Sequence, residues 1–62
     1  MLLVVLMDND LFTKMLQLTN KHIISVHMLN NGFFKLYYAD GERIYQDSNA
    51  GYKQAINDME NL

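Results

Sequence analysis

From His22 to Asp47 the chain alternates in a way that predicts strands. HIISVHML, FFKLYY and ERIYQ are rich in β-branched and aromatic residues, and two clusters that end in glycine, Asn30-Asn31-Gly32 and Ala39-Asp40-Gly41, separate them. That is the composition of an antiparallel meander with short turns. Strands are expected over residues 23–29, 33–39 and 42–46. The pattern also selects a register. A two-residue Asn31-Gly32 turn sets Met28 opposite Lys35 and His27 opposite Leu36, mixing polar and apolar residues on both faces. A three-residue loop with Gly32 left-handed sets Met28 opposite Phe34, Val26 opposite Leu36 and Ile24 opposite Tyr38, which leaves one face wholly apolar. Side chains alternate with period two, so a slip of one residue would destroy that face. The same loop at 39–41 sets Leu36 opposite Ile44, Tyr37 opposite Arg43 and Lys35 opposite Tyr45. The expected core face is Ile24, Val26, Met28, Phe34, Leu36, Tyr38 and Ile44.

The flanks have other periods. Leu2 to Met7 is a continuous apolar run bounded by Asp8-Asn9-Asp10. It is short for a buried helix and apolar on both faces, so a strand over 2–7 is expected, either interior or covered from outside the monomer. Leu11, Phe12, Met15, Leu16 and Thr19 form a helical stripe, with Lys14 and Gln17 opposite. This predicts a helix over 10–20, capped by the polar triplet and closed at a left-handed Asn20. One helix from Leu2 to Asn20 is the alternative, and it would bury three acceptor side chains in its interior. After Asp47 or Ser48 as cap, Tyr52, Ala55, Ile56, Met59 and Leu62 mark a helix over 48–61 that docks to its last residue, with Lys53, Asn57, Asp58 and Glu60 toward solvent. Gly51 costs such a helix about 1 kcal/mol relative to alanine unless something packs closely against it. The expected fold is a single small α+β domain over residues 1–62 in the order β-α-β-β-β-α. It combines an antiparallel three-stranded meander with a short N-terminal strand, and its helices pack mainly on one sheet face.

Composition narrows the function classes. With 62 residues and no cysteine, the chain has neither disulfide nor thiol nucleophile, and it stands near the lower size limit for folding alone. A marginal monomer and a domain stabilised by dimerising or docking are both open. Net charge is −2, from five basic and seven acidic residues, which is no footprint for duplex nucleic acid. The apolar run at the N-terminus lacks the basic leader of a secretory signal and the roughly 20 residues of a membrane span, so a cytoplasmic protein is expected.

Catalytic inventory is thin. Ser25 and His27 share a strand face but lack an orienting acid and an oxyanion hole. His22 and His27 would point to opposite faces of one strand, so no metal site is expected. The acidic pairs Asp8/Asp10, Asp40/Glu42 and Asp58/Glu60 suit a helix cap, a turn and a solvated face. No glycine-rich phosphate loop is present. The expectation is a non-enzyme without cofactor.

The face of the meander away from the core carries the functional signal. In the register above it holds His27, Leu29, Phe33, Lys35, Tyr37, Arg43 and Tyr45 as candidate partner-binding residues. Aromatic rings interleaved with Lys, Arg and His suit a protein interface. They also suit stacking of unpaired bases, or plain cross-strand cation–π pairs, Tyr37–Arg43 and Lys35–Tyr45. Few cations and an N-terminal strand apolar on both sides favour protein contact, including a homodimer.

From Ile23 to Asn61, three strands with an Asp40-Gly41 turn and a capped helix after the last strand form a pattern that resembles the N-terminal arm-binding domains of phage-type integrases. The sheet is basic in those domains. Here it is not, so the DNA contact that the resemblance implies lacks its cations. The expected function is a protein-binding module, by class a phage or mobile-element accessory protein that inhibits a host enzyme or defence complex by covering a surface. The alternative is a small RNA- or single-strand-binding protein.

Overall fold

A computed structural model of the chain describes residues 10–62. The strand expected over 2–7 and the caps Asp8 and Asn9 lie outside the described residues. The elements are α1 (Asp10–Lys21), β1 (Ser25–Met28), β2 (Phe33–Tyr38), β3 (Gly41–Gln46) and α2 (Asn49–Glu60). Among the described residues, three strands form one antiparallel sheet in the order β1-β2-β3, an α+β arrangement with two helices. Among the described residues no helix is long and apolar enough to cross a membrane.

The first hairpin has the register that the apolar pattern selects: Met28 opposes Phe34 and Val26 opposes Leu36. The Leu29 N–H donates to the Phe33 carbonyl at 2.9 Å across the loop 30–32, and Gly32 is left-handed at φ 84°. The second hairpin differs. Tyr38 opposes Gly41, leaving a two-residue loop, Ala39-Asp40, so Leu36 faces Arg43 and Phe34 faces Tyr45. The expected pairs Leu36–Ile44, Tyr37–Arg43 and Lys35–Tyr45 are each displaced by one residue. This slip carries Tyr45 and Arg43 to the core face and Ile44 to the opposite one. β3 places one apolar residue on each face, so its pattern had little to choose with. The two glycines, alike in sequence, serve different backbones. Gly41, at φ 141°, lies within the ladder.

The core is one cluster of Met15, Phe34, Leu36, Tyr38, Tyr45, Ala55, Ile56 and Met59, with Leu11, Phe12, Leu18, Ile24, Val26 and Tyr52 packed against it. Four rings link the elements. Phe12 meets Tyr52 at 5.2 Å between centroids, Tyr52 meets Phe34 at 5.7 Å, and Phe34 stacks on Tyr45 at 5.3 Å. Such pairs add about 0.5–1.5 kcal/mol each beyond the area they bury. Leu16, expected on the buried stripe, is exposed, and Leu18 packs in its place. Leu62 is also exposed, because α2 ends before it at Glu60.

Two backbone details set where the helices begin and end. The first is at the end of α1. The helix runs through Asn20, and the left-handed residue that closes it is Ile23, at φ 56°. The Ile24 N–H reaches the Thr19 carbonyl at 2.8 Å and the Ile23 N–H reaches the Asn20 carbonyl at 3.3 Å, the bond pair of a Schellman motif. This turn also shortens β1, which starts at Ser25 and not at 23. A left-handed conformation costs a residue with a Cβ about 1–2 kcal/mol, and a β-branched residue is the least suited to it. Ile23 is 91% exposed, so little packing offsets that cost.

The second is at the start of α2. Ser48 is its N-cap by position, but its side chain makes no capping hydrogen bond. Gly51 is buried against β3, where a Cβ would lie 1.8 Å from the Gln46 carbonyl oxygen. The close packing that alone could justify a glycine in this first turn is present.

Opposite outcomes are expected at these positions. Gly51→Ala should lower stability by about 3 kcal/mol or more, since the obstacle is backbone, although alanine is the better helix former. Ile23→Gly should raise stability by about 1 kcal/mol, the relief of strain being partly offset by a freer unfolded chain. Urea denaturation of each variant beside the parent measures both changes.

Candidate protein-binding surface

β2 shows the division of the sheet most plainly. Phe34, Leu36 and Tyr38 are buried, whereas Phe33 and Tyr37 are exposed and Lys35 is half-buried. In the observed register the side opposite the core also takes Ser25 and His27 from β1, and Glu42, Ile44 and Gln46 from β3. Of the expected binding residues, His27, Phe33, Lys35 and Tyr37 therefore share this open face. Leu29 continues it just beyond β1 and is half-buried. Arg43 and Tyr45 do not belong to it, and Ile44, 59% exposed, stands there instead.

Charge on the open face is matched internally. Lys35 Nζ lies 3.2 Å from the Glu42 carboxylate and 5.5 Å from the centroid of the Tyr37 ring. The hydrogen bond to Glu42, then that residue's charge, raise the Lys35 pKa above its ordinary value and keep the ammonium protonated. A surface pair of this kind adds little stability. Its larger effect is to leave Phe33, Tyr37 and Ile44 around a neutralised centre.

The two residues that moved to the core face make a polar network. The Tyr45 hydroxyl donates to Asp58 Oδ2 at 2.7 Å and sits 2.7 Å from the Tyr38 hydroxyl. Since the Tyr45 proton is directed at the carboxylate, Tyr38 donates to Tyr45. Arg43 reaches Asp58 at 3.4 Å and Asp40 at 3.7 Å, and its guanidinium lies 4.6 Å from the centroid of the Tyr38 ring. The cation–π pairs expected across the open face are thus replaced by Lys35–Tyr37 along one strand and Arg43–Tyr38 on the core side. Asp58, expected toward solvent, is half-buried as the acceptor of this network. The sequence signal for it is an aspartate six residues after Tyr52, on the side of α2 next to its buried face. That signal is legible only once the helix is placed against β3.

Burial shapes the titration of three tyrosines. It raises Tyr38, and it raises Tyr45 strongly, with the hydrogen bonds to Tyr38 and Asp58 adding to the effect. Tyr52, hydrogen-bonded to Asp47, is pushed up to about 12 by burial and then by that bond. Tyr38 and Tyr45 are buried within the core, whereas the Tyr52–Asp47 bond lies at the surface.

No protein-family model, curated protein or solved structure matches the chain.

The tyrosines set an alkaline limit. In the unfolded chain they ionise near pH 10, while in the folded chain these three keep their protons above it. The stabilisation is therefore complete below about pH 10 and is lost as pH rises toward 12 and beyond, because the unfolded chain releases protons that the folded one retains. Urea midpoints should be flat from about pH 8 to 9.5 and fall steadily above pH 10. Tyr52→Phe should make the decline between 10 and 12 shallower.

Proposed function

We propose that this chain is a non-enzymatic protein-binding module whose partner rests on the open face of the sheet. The reading takes both helices to lie mainly on the core face, which leaves the other to a partner. The observation that carries it is the pair of exposed rings, Phe33 and Tyr37, on either side of a Lys35 already matched by Glu42. Aromatic side chains on a rigid sheet bring large contact area at small entropic cost. Depletion of free charge at the centre is what distinguishes interface cores from ordinary surface. His27 and Leu29 extend the patch toward β1.

Base stacking is the weaker reading. With Arg43 engaged by Asp58 and Asp40 on the core face, only Lys35 and His27 could meet phosphate, and Lys35 is paired. Strand binding draws its affinity and salt dependence from several such contacts. As to role, we place it as an accessory protein of a phage or mobile element that occludes a host enzyme or defence complex in the cytoplasm, a reading supported by the exposed aromatic face alone.

A photo-crosslinking residue at position 37 should yield one discrete protein adduct in the native host, and the same residue at Lys53 should not. With the captured partner purified, Phe33→Ala combined with Tyr37→Ala should weaken binding about tenfold or more, roughly 1.4 kcal/mol, at unchanged circular dichroism. Equal crosslinking from both positions, or tight binding to a labelled single strand that collapses with added salt, would sink the proposal.

A further inference from the structure

The edge of β3 is a surface that the open-face reading does not use. The Asp47 N–H donates to the Gly32 carbonyl at 2.9 Å, continuing the ladder in which Phe34 opposes Tyr45 and Leu36 opposes Arg43. Antiparallel ladders turn the N–H and C=O of every second residue toward the neighbouring strand and those of the others away. Arg43 and Tyr45 therefore bond β2, and Glu42, Ile44 and Gln46 turn their main-chain groups to the free side. The Gln46 carbonyl accepts the Ser48 N–H at 2.9 Å. Among the described residues no main-chain partner reaches Glu42, Ile44 or the Gln46 N–H on that side.

Natural edges are guarded by charge, proline or bulges. Here both charged residues of β3 are engaged within their own chain, Glu42 by Lys35 at 3.2 Å and Arg43 by Asp58 at 3.4 Å. Ile44 follows them in the strand and is 59% exposed. A groove of about 300 Å³ follows the strand, lined by Ile44, Tyr45, Gln46, Ala50, Gly51 and Gln54. Its helix side is formed by Ala50, Gly51 and Gln54, with Gly51 packed on the Gln46 main chain at the end of the strand and Ile44 farther from the helix start.

We propose that β3 pairs edge to edge with β3 of a second copy, antiparallel about a twofold axis at Ile44, joining two three-stranded sheets into one. Charge selects both the occupant and the register. Pairing must match residues whose main-chain groups turn outward. Setting Glu42 opposite Glu42, or Ile44 opposite Glu42, brings Glu against Glu or Arg43 against Arg43, and like charges directly across are unfavourable. The register with Ile44 opposite Gln46 shortens the overlap to residues 44–46 and sets Tyr45 against itself. With the axis at Ile44, each Glu42 faces the Gln46 amide of the other copy, Ile44 covers Ile44, and Arg43 faces Tyr45. The two Ile44 residues exchange both main-chain bonds, and each Gln46 N–H donates to the Glu42 carbonyl opposite. The surface is self-complementary, as a twofold interface requires. It stands or falls separately from the open-face proposal.

Sedimentation equilibrium of the full chain from about 1 to 300 μM should show a monomer–dimer equilibrium. Ile44→Pro removes an outward N–H that no bond within the chain uses, and should give a monomer. Ile44→Lys, which is tolerated at an exposed position, should do the same by placing two ammonium groups at the axis. Gln46→Lys, facing Glu42, should tighten the dimer and Gln46→Glu should loosen it, each by about fivefold. A monomer at every concentration, as when a peptide of another protein or another part of the same chain takes the edge, overturns the proposal. So does a dimer indifferent to Ile44→Lys, one that responds alike to both Gln46 variants, or one abolished only by Phe33→Ala with Tyr37→Ala.

Discussion

Gly51 lies so close to the Gln46 carbonyl that no side chain could stand in its place, and much of the molecule follows from that approach. The chain leaves β3, turns through Asp47 and Ser48, and starts α2 almost in contact with the strand it has just left. With that start fixed, the 3.6-residue period decides what each later position meets. Tyr52 comes over Phe34 and beside Asp47, Ala55 and Ile56 enter the core, and Asp58 arrives at the Tyr45 hydroxyl. A larger residue at 51 would push the helix outward, and the carboxylate at 58 would lose the two groups that justify its burial.

The polar network at the far end of α2 answers this packing. Burying a carboxylate is unfavourable unless donors meet it, and Asp58 has the Tyr45 hydroxyl and the Arg43 guanidinium. Arg43 in turn covers Tyr38 with its planar group, so a charged residue on the core face still contributes apolar cover. In a chain this small, where apolar burial alone leaves little margin, directional contacts of this kind decide which of two adjacent registers is adopted.

The sequence was most informative where one face of an element is uniformly apolar. Met28, Val26, Phe34 and Leu36 determined the first hairpin, because any other register breaks their alignment. Tyr52, Ala55, Ile56 and Met59 determined α2 for the same reason. β3 was opaque. Arg43 and Tyr45 are amphipathic and fit either face, and what placed them on the core side, Asp58, belongs to a helix whose position depends on Gly51. The turn glycines misled in a related way, since identical third positions at Gly32 and Gly41 serve a three-residue loop in one hairpin and the ladder itself in the other. At the end of α1, Asn20 has the favourable chemistry for a left-handed stop, yet Ile23 adopts it. A scale of local preference does not find a strained residue.

The slip in β3 also couples stability to surface. Side chains alternate, so the shift that brings Tyr45 inward to Asp58 necessarily turns Ile44 outward, and the two cannot be adjusted separately. The tyrosine hydroxyls therefore act as a register pin for whatever β3 presents. While Tyr45 is hydrogen-bonded to Asp58, Glu42 stands across from Tyr37 beside Lys35, and the open face keeps its neutral centre. In the alternative register Arg43 would join Lys35 on the open face, and Glu42, now on the core side, would no longer neutralise it. The same sheet would then present two cations among its aromatic rings. A single residue of register thus decides whether this face carries one matched cation or two, and Asp58, half-buried on the opposite side of the sheet, holds that register.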